Sequence, residues 1–144
     1  MFDKNFNRRA FLKRTMGATA AAVAFPTIIP SSALGLDGAT APSERIVMGA
    51  IGTGGQGTHN MNTFANNSMV QMVAVCDADR ERLAAAKNKV DDRNGNKDCA
   101  TYADFRELLA RTDIDAVCLG TPDHWHGVMS VMAAKAGKDI YCEK

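Results

Sequence analysis

Ile46-Val47-Met48-Gly49-Ala50-Ile51-Gly52-Thr53-Gly54-Gly55-Gln56-Gly57 is a short apolar run that feeds straight into Gly-x-Gly-x-x-Gly. The apolar part has strand character, and a helix is expected after it. Gly52 permits a tight turn, Gly54 lets backbone approach a pyrophosphate, and Gly57 lets helix and strand pack closely. Phosphate oxygens would rest on the free amide N–H groups of the helix N-terminus, with Thr53, Gly55 and Gln56 completing the loop. Alone the motif is weak, because a glycine-rich turn without a ligand has the same sequence. Its weight depends on what the rest of the chain places around it.

The first strand is expected over Arg45–Ile51. Its near-continuous apolar character suits a strand buried on both faces, as in parallel sheets. Helix 1 should start near Gly55–Gly57 and run to about Asn66, with Met61, Phe64 and Ala65 on its apolar face. His59, in its first turn, reads as a solvated helix residue. Asn66-Asn67-Ser68 is turn chemistry. Strand 2 follows as Val70–Cys76 and ends in Asp77, about 20 residues beyond Gly57, where an acidic residue binds the ribose hydroxyls of the adenosine half. A carboxylate there repels a 2′-phosphate, so Asp77 favours NAD over NADP; Arg80 and Arg82 nearby soften that repulsion, and NADP is not excluded. The competing role for Asp77 is the N-cap of helix 2.

Helix 2 is expected from about Asp79 to Val90, with Asp91–Asp98 as a polar surface loop. A short strand 3 fits Cys99–Thr101, and Thr101–Asp104 resembles a capping box for helix 3, with Tyr102, Phe105 and Leu109 on one face. Strand 4 is Asp115–Gly120. It leads into Thr121-Pro122-Asp123-His124-Trp125-His126 and a helix 4 to about Ala136, whose inner face would carry Val128, Val131, Met132 and Ala136. Gly137 suits the position after that helix. Strand 5 is Lys138–Cys142, followed by Glu143-Lys144.

Strands that alternate with helices at such intervals predict an α/β fold: a Rossmann-type, doubly wound parallel sheet with right-handed crossovers. The expected strand order is 3-2-1-4-5, with a ligand crevice between strands 1 and 4. Three separate polar motifs, Gly52–Gly57, Thr121–His126 and Glu143-Lys144, then fall at the carboxyl ends of adjacent strands.

The 144 residues suffice for one domain of ordinary size. A net charge of +1 does not suggest a nucleic-acid partner. It hides an asymmetry: residues 1–41 carry Lys4, Arg8, Arg9, Lys13 and Arg14 against Asp3 and Asp37, so the remainder is slightly acidic. Cys76, Cys99, Cys118 and Cys142 are widely spaced and form no Cys-x-x-Cys. They read as buried small hydrophobes, not as metal ligands, and no metal site is expected.

Residues 1–41 divide into a basic piece, a mildly apolar Ala-rich run from Met16 to Ile29, and a small-residue piece. That is the layout of an export signal. The apolar run is too short for a good membrane span, which needs about 20 strongly apolar residues. Arg8-Arg9-Ala10-Phe11-Leu12-Lys13 resembles the twin-arginine export motif, with Asn7 where Ser or Thr is usual. The expectation is therefore a twin-arginine signal and linker over residues 1–41, a partnership with that export machinery, a periplasmic or otherwise exported location, and residues 42–144 as the nucleotide-binding domain. Cleavage after Ala41 or near Ser31-Ser32-Ala33, or retention as an uncleaved anchor, all fit the segment.

Together, Ala50–Gly57, Val75-Cys76-Asp77, Thr121–His126 and Ala136–Lys144 resemble the glucose–fructose oxidoreductase / inositol dehydrogenase / MocA family, over roughly residues 44–144. The resemblance implies an NAD-dependent oxidoreductase acting on CH–OH groups of a sugar or polyol. It implies that Lys144, of a Glu143-Lys144 pair, reaches the reacting hydroxyl. It also implies that Thr121, Pro122, His126 and Glu143 join Gly52–Gly57 and Asp77 around the cofactor. A cation beside a reacting hydroxyl stabilises a developing alkoxide and can join a proton relay. Family members carry a second α/β domain that forms the substrate face and mediates oligomers. Neither that domain nor the last strand of the nucleotide domain is present here, so by this resemblance the sequence is an N-terminal fragment, inactive alone, with an exposed sheet edge. Two alternatives stand beside the dehydrogenase: a glycosidase using NAD in a transient oxidation–elimination cycle, and a non-catalytic dinucleotide-binding protein.

Overall fold

The computed structural model describes residues 40–142. After a single 3-10 turn at Pro42–Glu44 come β1 (Ile46–Ile51), α1 (Gly55–Ala65), β2 (Val70–Cys76), α2 (Arg80–Asn94), β3 (Ala100–Tyr102), α3 (Phe105–Leu109), β4 (Ala116–Leu119), α4 (Asp123–Lys135) and β5 (Asp139–Cys142). The five strands form one parallel sheet in the order β3-β2-β1-β4-β5, as the alternating pattern predicts. Chain direction reverses its progress across the sheet at β1 and β4. A crevice therefore opens at their carboxyl ends.

The sheet is covered on both faces, and the side-chain alternation along each strand shows how. In β4, Ala116 and Cys118 point to one face and Val117 and Leu119 to the other. The first face packs with Met61 of α1 and Ala86 and Val90 of α2. The second packs with Phe105, Leu108 and Leu109 of α3 and Met129 and Ala133 of α4. Each fully buried large aliphatic, such as Leu108 or Leu119, contributes about 1.5–3 kcal/mol by leaving water. β2 carries an irregularity: Met48 pairs with Met72 but Gly49 pairs with Ala74, so Val73 is the extra residue.

Four expectations need correction. First, α2 does not stop at Val90 but continues through Asn94, and Gly95 ends it at φ +68°. The polar run is helical because its groups find protein partners. Asp91 is buried, and its carboxylate accepts from Lys87 Nζ (2.6 Å) and Cys99 N (3.0 Å), while Asn94 Nδ2 donates to Met72 O (2.8 Å). Second, the capping residue of α3 is Asp104, not Thr101, because β3 extends through Tyr102; the Asp104 carboxylate accepts from Arg106 N. Third, the inner face of α4 is Met129, Met132 and Ala133, a rotation of about one residue (~100°) from the expected stripe. Val128 and Val131 are 51% and 54% exposed. Fourth, Cys76, Cys99 and Cys118 are buried, but Cys142 is exposed in β5, at one end of the described sheet.

Strand and helix limits otherwise fall within one or two residues of the expected ones, and His59 is exposed on α1.

Candidate functional site

β1 ends by handing Gly52 a backbone conformation that L side chains rarely adopt, φ +82°. Gly52 N donates to Cys76 O (2.8 Å), which ties the start of the loop to the tip of β2. The chain then turns into α1, whose first turn presses onto the crossing of β1 and β4. A Cβ at Gly57 would lie 1.9 Å from Gly52 O, and a Cβ at Gly120, just after β4, would lie 2.3 Å from Gly57 Cα. Only glycine fits at either place. Sequence reasoning assigned Gly57 this packing role but took Gly120 merely as the end of a strand. A second glycine at a strand tip facing the motif was the available signal.

Asp77 sits at the tip of β2 with both carboxylate oxygens engaged. Oδ2 accepts from Thr53 N (2.7 Å) and Thr53 Oγ1 (2.9 Å), and Oδ1 accepts from Asp79 N (2.9 Å). Partial burial pushes its carboxyl pKa up. The hydrogen bonds from Asp79 and Thr53, with the charge of Arg82, outweigh that and hold it below the usual carboxylate range. Asp77 is thus ionised and braces the glycine loop. It is not the N-cap of α2. That role belongs to Asp79, which accepts from Glu81 N and Arg82 N.

A cleft of about 690 Å³ opens above these strand tips. Gly52, Gly54, Asp77, Thr121 and Pro122 line it, as expected. Thr53 and Gly57 are buried, Thr53 in contact with Asp77 and Gly57 against Gly120. Gly55 and Gln56 are exposed in the first turn of α1, and Gln56 Nε2 donates to Asn60 Oδ1 (3.0 Å). His126 is turned onto the Thr121–Pro122 turn, its Nε2 2.6 Å from Thr121 O. A carbonyl oxygen only accepts, so Nε2 carries the proton and His126 braces the turn. Glu143 and Lys144 lie outside the described residues.

The cleft reaches further than the sequence suggested. Ala103, Asp104, Phe105 and Arg106 extend its wall past β3, and Trp125 closes it beside Phe105, the two rings edge to face at 6.3 Å. Ala103 to Arg106 follow a strand tip too, but their capping and apolar character gave no sign of a site, whereas Trp125 falls within the Thr121–His126 motif. Cys76 also lines the cleft. Burial, with nearby Asp77, Asp104 and Glu107, pushes its thiol pKa up to about 12, so it stays neutral and is no nucleophile. Among the described residues no group of His, Cys, Asp and Glu is placed to hold a metal ion.

Two features fit a phosphate-bearing ligand. α2 and α3 have aspartate N-caps, whereas α1 and α4, which flank the crevice, begin at Gly54 and Pro122 with no side-chain cap. Apart from Trp125 N, which donates to Pro122 O (2.9 Å), their first-turn N–H groups and positive dipole ends are left for another acceptor. Thr121 Oγ1 is also buried without a hydrogen-bond partner. Such a group costs about 1–3 kcal/mol unless something satisfies it.

The comparisons with known proteins agree with this geometry. Residues 46–144 match the model of the oxidoreductase family with an NAD-binding Rossmann fold, GFO_IDH_MocA. The chain belongs to that family. A scyllo-inositol dehydrogenase from Lactobacillus casei, with bound NAD(H) and scyllo-inositol, superposes at a TM-score of 0.61 with 25% identity, over 69% of this chain and 28% of that one. The myo-inositol dehydrogenase of the same organism, in complex with NAD(H) and myo-inositol, gives 0.62 and 30%, over 69% and 28%. In sequence, a glycosyl hydrolase family 109 protein from Shewanella baltica is 31% identical over 96% of this chain. An alpha-N-acetylgalactosaminidase from Shewanella oneidensis is 30% identical over the same share. The chain spans about a third (33%) of the length of these curated relatives.

The backbone crossing makes a direct prediction. Gly57→Ala should abolish measurable NADH binding, because Gly52 and the loop must move by more than an ångström to admit the methyl group. Gly127→Ala, with open space around its Cβ on α4, should leave binding unchanged and stabilise by about 0.4–1 kcal/mol. Fluorescence titration and urea unfolding of the two variants check this; equal binding by both would show that the crossing does not shape the site.

Proposed function

We propose that this chain is the cofactor-holding part of an exported, NAD-dependent oxidoreductase that acts on a CH–OH group of a sugar or polyol. One observation carries the reading most strongly: the cleft at the β1/β4 reversal is bordered by two uncapped helix N-termini and floored by the Gly52–Gly57–Gly120 crossing. A dinucleotide matches that surface, having a pyrophosphate for the amides and dipoles and extended planar ends for the rest of the wall. The nicotinamide ring, when bound, supplies a two-electron acceptor for the substrate carbon.

The chain's own residues prepare and flank that chemistry. Asp77 fixes the loop through Thr53, and His126 fixes the Thr121–Pro122 turn. By the family resemblance Lys144 is assigned to the reacting hydroxyl, where its ammonium group would stabilise a developing alkoxide, and Glu143 is assigned to the cofactor. The structural relatives bound to inositols favour a polyol or sugar as substrate.

A second reading has its own support. The curated relatives that match over 96% of the chain are named as a glycosyl hydrolase family 109 protein and an alpha-N-acetylgalactosaminidase. A glycosidase that uses NAD in a transient oxidation–elimination cycle would need the same cleft and the same lysine. The two differ in net product, not in how the cofactor is held.

With the full-length protein, NADH should bind with a fluorescence change, and Lys144→Ala should depress turnover far more than cofactor affinity. Equal losses would reduce Lys144 to a cofactor contact, and absence of any nicotinamide dinucleotide binding would remove the whole reading. Incubation with inositols and free sugars, against aryl N-acetylgalactosaminides, then separates an oxidised polyol from a released sugar. For location, a reporter fused to residues 1–41 should be exported only while Arg8 and Arg9 are intact; export that persists in the Arg8→Lys/Arg9→Lys double variant would undo the twin-arginine assignment.

A further inference from the structure

Asn60 is a polar side chain of α1 in a place where a core residue would fit. It is only 6% exposed. Its Oδ1 accepts from Gln56 Nε2 (3.0 Å), one turn earlier on the same helix. That bond fixes which end of the amide faces Gln56 and turns the Nδ2 end away from it. Nδ2 is buried and has no hydrogen-bond partner among the described residues. A buried amide donor without an acceptor is costly, and a leucine of similar size would avoid the cost.

The sheet register points to an acceptor. Ala116 and Cys118 of β4 face α1 and α2. β5 pairs with β4 in parallel, Ala116 with Asp139 and Cys118 with Tyr141, so Asp139 and Tyr141 belong to that same face. The Phe64 and Tyr141 rings agree, meeting edge to face at 5.0 Å. α1 runs back from the strand tips, because Gly57 at its start packs on Gly52 and Gly120. Asn60 is therefore one turn, about 6 Å, nearer the tips than Phe64. Two residues of strand beyond Tyr141, about 6.6 Å, bring the sequence to Glu143. Both steps start from one ring contact, run in one direction and have nearly one length. By the same alternation, position 143 belongs to the α1 face and position 144 to the other.

We propose that Asn60 is a positioning residue: its Nδ2 donates to the Glu143 carboxylate and so holds the tip of β5 from which Lys144 extends. The inference rests on the dinucleotide reading given above. An ionised acceptor suits this donor, since such hydrogen bonds are about twice as strong as neutral ones. The carboxylate keeps lone pairs for the cofactor. Through the Gln56–Asn60 bond, the first turn of α1 is then linked to the strand tip that carries Glu143 and Lys144.

The test is a double-mutant cycle in the full-length protein: Asn60→Leu, Glu143→Ala and the two combined, each read by urea unfolding without ligand and by NADH fluorescence titration. Asn60→Leu should lower the urea midpoint, because it removes a bond; were the amide an orphan, leucine would raise the midpoint. Each single variant should weaken NADH about tenfold, and the double variant about tenfold, not about a hundredfold. Asn60→His, which can place a ring N–H where the amide N–H was, should bind NADH within about threefold of wild type. Should Asn60→Leu not fold, Asn60→Ala takes its place in the cycle. A raised midpoint in Asn60→Leu, losses that multiply in the double variant, or unchanged NADH binding in Asn60→Leu overturns the positioning role. If the wild type binds no NADH, the dinucleotide reading falls, and the urea cycle still decides the Asn60–Glu143 contact.

Discussion

Three backbones meet where α1 crosses the sheet. Gly57 rests on Gly52 O, and Gly120 rests on Gly57, at separations that leave no room for a single methyl group. This contact sets the depth of α1 against β1 and β4, and so sets where its unused N–H groups point. It also ties the end of β1 and the start of α1 to the end of β4, which is far from both in sequence. The crevice between the first and fourth strands is a consequence of topology. That it is a usable site depends on this close approach.

The crossing is braced from the side by Asp77. Without the bonds from Thr53, the loop between Gly52 and Gly57 would have only Gly52 N–Cys76 O to anchor it to β2. The carboxylate therefore has a structural role before any ligand arrives, and the depressed carboxyl pKa reflects the same bonds. An ionised carboxylate can accept more than the three bonds that Asp77 takes here, so bracing the loop leaves capacity for a ligand hydroxyl; the bracing bonds are the part that spacing alone does not contain.

Much of the fold was legible because the strands here are short, apolar and separated by strong turn chemistry. The strand order and the place of the crevice followed from alternation alone. The misreadings share one cause. Asp91 to Asn94 looked like loop because they are polar, yet Lys87 and the Cys99 and Met72 backbones supply their partners from outside the segment. In the same way, Val128 and Val131 looked like core because they are apolar, but the sheet meets α4 on the adjoining stripe. Gly120 and Arg106 carried no motif of their own. Their place in the site comes from three-dimensional proximity to the glycine loop, which no local pattern records.

The central claim is that a nicotinamide dinucleotide sits on the Gly52–Gly57 loop and the Thr121–Pro122 turn. Hydrogen–deuterium exchange of the full-length protein with and without NADH tests it most directly. The account predicts slowed exchange for the amides of residues 52–58 and of residues 120–126, with residues 91–99, at the opposite end of α2 from the cleft, unchanged. NADH binding that leaves both segments exchanging at their free rates would contradict it.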